Sequence, residues 1–270
     1  FKNPKGMEAL KKRIATCDVV QHNMRYPATQ RLGLDYETLK KEFPRLIYCH
    51  SRGFEEGPRK NLPGNDQTGA CLSGIQHEDG ALYTDREDTF PIWSLTSLGD
   101  TGNGFLTAVG ICNALMERER TGKGQFVDTS IVNACLLNTS YAVSKPDGTP
   151  VERPRLNFDQ TGYGDYYKLY QTADNKWIQI AAIRPEHKSA FDNLAGDNKH
   201  GSFLARNSKE LMIDLKAAGI PAAISDENAS RRLFDNKDFK TKKWTVEYKD
   251  RHVGKLEQIG LTYNLSDTPG

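Results

Sequence analysis

Two helix-then-strand units follow one another in the first 52 residues, and this order constrains the fold more than any other feature. Asn3 ahead of Pro4 is a helix start signal, and Met7, Leu10 and Ile14 recur at helical spacing as far as Cys17. DVVQHNM reads as a short strand running into a loop, LDYETLKKEF as a second helix stopped by Pro44, and RLIYCHS as a buried strand, from its apolar and aromatic run. Successive strands joined through a helix lie parallel with right-handed crossovers, so an α/β protein with a parallel sheet is expected. Ligands gather beyond the carboxyl ends of such strands, which directs attention to HNMR and HSRGFEEGP.

Further along, Gly64 to Gly80 is turn-rich around the apolar segment TGACLSGIQ, and Ala81 to Pro91 is a polar excursion. From Asn103 the pattern FLTAVGICNALMERER is a nearly all-apolar helix with a charged last turn and a glycine stop in TGKG. QFVDTS reads as a strand and IVNACLLNTSYAV as a buried helix, and a long connection ends in TGYG. The period then changes: YYKLYQTADNKWIQIAAI alternates as an antiparallel hairpin, and SKELMIDLKAAGIPAAI supplies a helix and a strand. The expected organisation is a large domain over 1–165, a small α+β domain over 166–224 and a polar tail, 225–270, returning to the first. Because the chain enters a helix and a strand with nothing ahead of them, a front segment of the large domain is expected to be missing.

The bulk numbers exclude more than they assign. In 270 residues, 37 bases against 35 acids give a net charge of +2, which is no field for nucleic acid or a membrane surface. No run approaches the roughly 18 apolar residues of a membrane span. Five cysteines, odd in number and without CxxC spacing, are expected as reduced thiols in the cytoplasm. The six histidines have no HxxxH or HExxH spacing, so no metal site is expected, and no GxSxG elbow supports a serine hydrolase.

What remains is a set of charged residues in unusual surroundings. Asp100 lies in SLGDTGNGF at the mouth of the apolar helix, where an acid is either a cap or a reagent. Glycines 99, 102 and 104 would clear space around it, which a nucleophile needs and a cap does not, and the helix end would keep it ionised. Asp66, in PGNDQTGACLSG, is either a turn aspartate or a second carboxylate of the same site. Arg25, Arg31, Arg52 and Lys60, with Asn23, gather on the loops after the first two strands, a pattern that suits a phosphate-bearing ligand. His50, two residues before Arg52, reads as structural, with a place in the pocket wall as the alternative.

The ordered blocks DVVQHNMRYPATQRLGLDYETL, PRLIYCHSRGFEEGP, PGNDQTGACLSG and SLGDTGNGFLTAVGICNALMERERTGKGQFVDTS together resemble the family III coenzyme A transferases, the group of formyl-CoA transferase and α-methylacyl-CoA racemase. The likeness continues more weakly to the closing LSDTPG. It implies a Rossmann-like large domain, a small α+β domain and a homodimer of interlocked rings. By the same resemblance Asp100 is the nucleophile, Asp66 a second catalytic acid, and Asn23, Met24, Arg25, Arg31 and Arg52 the coenzyme A site. Gly162 and Gly164 fall where the family carries a glycine-rich cover over the active site, although TGYG is poorer in glycine than is usual.

The activity so implied is transfer of coenzyme A from an acyl-CoA thioester to a free carboxylic acid through aspartyl intermediates, with coenzyme A as substrate and no resident cofactor. The alternatives are an acyl-CoA racemase, in which Asp66 would exchange the α-proton, and a catalytically silent coenzyme A-binding or assembly subunit. No histidine stands in Arg31–Phe43, where a racemase partner would be sought, which favours transfer.

Overall fold

The computed structural model describes residues 3–261 and 263–268. It divides into two compact units at the Phe158–Asp159 junction.

In the first unit the alternation of elements produces the parallel sheet expected. Helix α1 (Pro4–Ile14) leads into β1 (Val19–His22), and α3 (Tyr36–Glu42) into β2 (Ile47–Arg52). A short helix not foreseen from the sequence, α2 (Tyr26–Arg31), lies between them. With β3 (Phe126–Ser130), the strands form a sheet in the order β1-β2-β3, both pairings parallel, aligning Val20 with Tyr48 and Tyr48 with Phe126. Caps fix where the helices begin: Asn3 accepts the Lys5 amide (3.0 Å), and Asp35 accepts both the amide and the hydroxyl of Thr38 (3.2 and 2.7 Å). One face of the sheet meets Ile14, Leu34 and Leu39, and Tyr26, Tyr36, Tyr48 and Phe126 form an aromatic cluster there. Leu39 and Tyr48 are wholly buried, each a contribution of about 2–3 kcal/mol.

On the second face lies α6 (Leu98–Thr121), seated so closely that a Cβ on Gly110 would come within 2.7 Å of Val127. A ladder of side chains ties helix to sheet: Gln21 donates to Ser51 (3.0 Å), Ser51 pairs with Thr107 (2.8 Å), and Thr107 with Thr129 (2.9 Å). The helix begins at Leu98, five residues ahead of the Asn103 start read from the sequence, so the glycine-rich turn is its first turn. It stops, as expected, at Gly122 (φ 73°). The turn-rich segment after Gly64 is itself helical: α4 (Asp66–Ser73) and α5 (Ile75–Asp79) meet at Gly74, whose φ of 86° suits glycine. Helix α7 (Ile131–Asn138), capped by Ser130, packs on α4 and α6 and ends sooner than its apolar pattern implies.

In the second unit β4 (Tyr167–Gln171), β5 (Trp177–Ala181) and β6 (Ala222–Ser225) form an antiparallel sheet. It is covered by α8 (Pro185–Ala195), α9 (Lys199–Leu204) and α10 (Ser208–Ala217), and Tyr170, Ile178, Ile180, Phe191, Phe203 and Leu211 form its core. After the small helices α11 (Ala229–Arg232) and α12 (Lys237–Thr241), β7 (Thr245–Asp250) and β8 (Gly254–Ile259) form a separate hairpin in what reads as a featureless polar tail. Among the described residues no helix is long and apolar enough to cross a membrane.

Candidate active site

Two glycines bring the first carboxylate into place. Gly53, just beyond β2, and Gly64, just before α4, touch backbone to backbone: a Cβ on Gly53 would lie 2.5 Å from Gly64 Cα. This contact turns the loop back, so that α4 starts beside the end of the sheet. Asn65 caps α4 by accepting the Thr68 amide (3.0 Å), leaving Asp66 in its first turn, buried and free to reach sideways. Its Oδ1 accepts the backbone N–H of Asp100 at 2.8 Å. Asp66 therefore caps α6 from a neighbouring helix, because the Ser97 side chain at the N-cap makes no capping bond.

Asp100, in the first turn of α6, has an exposed side chain whose carboxylate makes no hydrogen bond or ion pair among the described residues. The two readings of these acids are thus divided between them: the cap is Asp66 and the bare carboxylate is Asp100. Partial loss of water around Asp100, and then the like charge of Asp66, push its carboxyl up from the ordinary value. This reverses the expectation that the helix end would hold it down. An exposed carboxylate of raised basicity is a better nucleophile wherever it remains ionised.

The glycines around Asp100 do not all clear space for a ligand. A Cβ on Gly99 would lie 2.6 Å from Ile131 and 2.8 Å from Cys135, and one on Gly102 would lie 3.1 Å from Ala134, so these two let α6 approach α7. Only Gly104 faces open space. Of the first-turn amides, Leu98 donates to Thr96, Asp100 to Asp66 and Thr101 to Ser97. Gly99 N–H, in a buried residue, is left without an acceptor among the described residues.

The basic residues separate in the same way. Arg52 is buried, its Nε donating to Asp128 (2.6 Å) and its Nη1 to Glu56 (3.0 Å), so the direct phosphate contact expected of it would have to displace two carboxylates. Lys60 pairs with Glu56 at 2.5 Å. The Arg52–Asp128 pairing was hidden in the sequence, since Asp128 comes from a strand 76 residues later, whereas Glu56 stands four residues from both Arg52 and Lys60. Arg25 and Arg31, at the two ends of α2, are exposed and have no ion-pair partner among the described residues. Asn23 and Met24 line a cleft of about 620 Å3 beside β1 with Ile14, Val20 and Leu34; Asp100 is not among its lining residues.

Sequence reasoning passed over His22 and read His50 as structural, with a place in the pocket wall as the alternative. His22 ends β1 and His50 lies within β2, two residues before its end; their rings are stacked 4.7 Å apart, and both bond to the backbone of Met24. No metal spacing marked them, and their partnership exists only in the parallel register that sets His22 beside His50. No group of three or more His, Cys, Asp or Glu among the described residues could hold a metal ion.

Gly162 and Gly164 belong to the second unit. Their segment runs along β4, with Gly162 bridging Lys168 and a Cβ there 2.1 Å from the Lys168 Cβ; Gly164 has a φ of 134°. TGYG is thus held along β4 by backbone hydrogen bonds.

Comparison with known proteins places these residues in context. The sequence profile of CoA-transferase family III matches residues 1–202. The chain is 33% identical over 188 residues to the alpha-methylacyl-CoA racemase of Homo sapiens, covering 69% of this chain and 48% of the racemase. It is 35% identical over 214 residues to the cinnamoyl-CoA:phenyllactate CoA-transferase of Clostridium sporogenes, covering 74% of this chain and 50% of that enzyme. A crystal structure of a CAIB/BAIF family protein from Brucella suis shares the fold, with a TM-score of 0.74 at 22% identity over 99% of this chain and 74% of that one. The chain thus spans half or less of the length of these curated relatives.

Proposed function

This chain belongs to CoA-transferase family III, and from that premise we propose that it transfers coenzyme A between an acyl-CoA thioester and a free carboxylic acid, with Asp100 as nucleophile. The observation that carries this reading is the division of labour between the acids: Asp66 holds the Asp100 amide, and the Asp100 carboxylate stays exposed and unbonded.

The chemistry follows from that carboxylate. Asp100 attacks the thioester carbonyl, the carbon–sulfur bond breaks, and coenzyme A leaves as thiolate, giving an acyl–aspartyl mixed anhydride. The thiolate then attacks the aspartyl carbonyl and expels the donor acid, giving an aspartyl-CoA thioester. The acceptor carboxylate attacks this thioester and frees the thiolate again, which takes the new acyl group and restores Asp100. The covalent route is needed because two carboxylates repel and cannot exchange coenzyme A directly. Arg25 and Arg31 hold phosphates, and the Gly162–Gly164 segment and an interlocked homodimer are parts of the same proposal.

The test is to mix the protein with succinyl-CoA and a panel of free acids: exchange is expected, and an undiminished rate in Asp100→Ala would dismiss the nucleophile. Racemisation is a second reading, favoured by the 33% identical racemase and by the nearness of Asp66. Against it, Asp66 is buried and bonded to backbone. Deuterium entering an acyl-CoA at its α-carbon with no acceptor acid present would decide for it.

A further inference from the structure

The loop that carries Asn23, Met24 and Arg25 is held by a device that the transfer chemistry does not use. Met24 N–H donates to His22 Nδ1 (3.1 Å), and the Met24 carbonyl lies 2.9 Å from His50 Nε2. Since a carbonyl only accepts, His50 carries its hydrogen on Nε2 and leaves Nδ1 bare. Since His22 Nδ1 accepts, its own hydrogen lies on Nε2 and points to the Tyr48 hydroxyl (2.7 Å), which donates onward to the Leu34 carbonyl (2.8 Å). Both tautomers are thereby set. Tyr26 closes over the outer face of the pair, its ring 5.4 Å from that of His50. Downstream, the Arg25 carbonyl accepts the Ala28 amide (2.9 Å) as α2 begins, so the backbone is fixed on both sides of Arg25 while its side chain stays free.

We propose that His22 and His50 are positioning residues that grip the Met24 peptide from its N–H and C=O sides and hold the Asn23–Arg25 turn in the shape that receives the phosphate-bearing part of an acyl-CoA. This rests on the proposed coenzyme A chemistry for its ligand, but the grip itself is a matter of backbone geometry. Two imidazoles suit the task because each offers one donor and one acceptor on a rigid plane, and stacking makes each ring the wall of the other. Burial also keeps them uncharged: His50 is pushed down to about 4 by lost hydration, then by His22 and Arg52, and lost hydration lowers His22 as well.

The experiment titrates coenzyme A calorimetrically into wild type, His50→Phe and His50→Gln, and follows the exchange of the Met24 amide by NMR in wild type and His22→Phe. Phenylalanine keeps a ring for the stack but loses the donor; glutamine returns an N–H. Loss of this one bond is expected to weaken coenzyme A binding about tenfold in His50→Phe, with most of the affinity recovered in His50→Gln. The Met24 amide is expected to be protected in wild type and to exchange fast in His22→Phe, with the β2 amides unchanged. Affinity within about twofold of wild type in a folded His50→Phe protein, or equal losses in both His50 variants, overturns the positioning role. A Met24 amide that exchanges freely in wild type overturns the grip. Wild-type protein that ignores coenzyme A while Met24 stays protected overturns the ligand named here and the proposed function with it, and leaves the grip as a feature of the fold alone.

Discussion

The first turns of α4 and α6 each contain an aspartate, and the two regions treat it in opposite ways. At the start of α4, Asp66 is buried and its Oδ1 accepts a backbone amide. At the start of α6, Asp100 is exposed, and the amide it might have capped is already taken by Asp66. Both are aspartates in a first turn, Asp66 the first residue of α4 and Asp100 the third of α6, so residue type does not decide the role. What decides it is which carboxylate satisfies the helix end, since the one relieved of that duty remains available to a substrate.

The comparison breaks most sharply on substitution of the acids and of the glycines beside them. Asp100→Asn should lower transferase activity by roughly a thousandfold or more while stability to urea stays within about 0.5 kcal/mol, because it removes a nucleophile and no contact. Gly99→Ala should destabilise by about 1–3 kcal/mol, since its Cβ would lie 2.6 Å from Ile131. Gly104→Ala, facing open space, should stabilise by about 0.5–1 kcal/mol. Equal effects at the two glycines would contradict the packing described. Asp66→Ala should cost about 1–2 kcal/mol through the uncapped Asp100 amide, read from the urea midpoint.

The smallest effect is on pH dependence. The raised Asp100 carboxyl owes its second contribution to the charge of Asp66. Asp66→Asn removes that charge, so Asp100 should ionise at lower pH and the acid limb of the pH–rate profile should move down. An upward move would show that Asp66 assists ionisation. In stability the sign is opposite to that of a salt-bridged acid: a raised carboxyl takes up a proton more readily when folded, so the contribution of this group to the fold is fully present below its unfolded value and is lost as pH rises through the folded one.

The parallel sheet was legible because its signal is local: Met7, Leu10 and Ile14 mark a helix, and Ile47 to Cys49 a strand, without knowledge of any partner. The two acids were legible as candidates, but their roles were not, because the bond between them spans 34 residues and depends on the Gly53–Gly64 contact. Arg52 looked free because Asp128 arrives from another strand. The histidines looked ordinary because their partner is a peptide group, which has no sequence signature. The β7–β8 hairpin was missed although TVEYKD and KLEQI alternate on either side of Gly254, whose φ is 84°. Helix α6 read as nearly all-apolar from its composition, yet its Phe105, Val109 and Met116 are exposed. Hydrophobicity reports what can be buried and leaves open which face is.

The most direct test is to incubate the protein with acyl-CoA and hydroxylamine, digest it, and locate any hydroxamate by mass spectrometry. An aspartyl thioester or anhydride is captured by the amine, so the modification is expected on Asp100, with Asp66 untouched and no label when acyl-CoA is omitted. A protein that turns over while Asp100 stays unmodified, or one labelled at Asp66 instead, would contradict the assignment of cap and nucleophile.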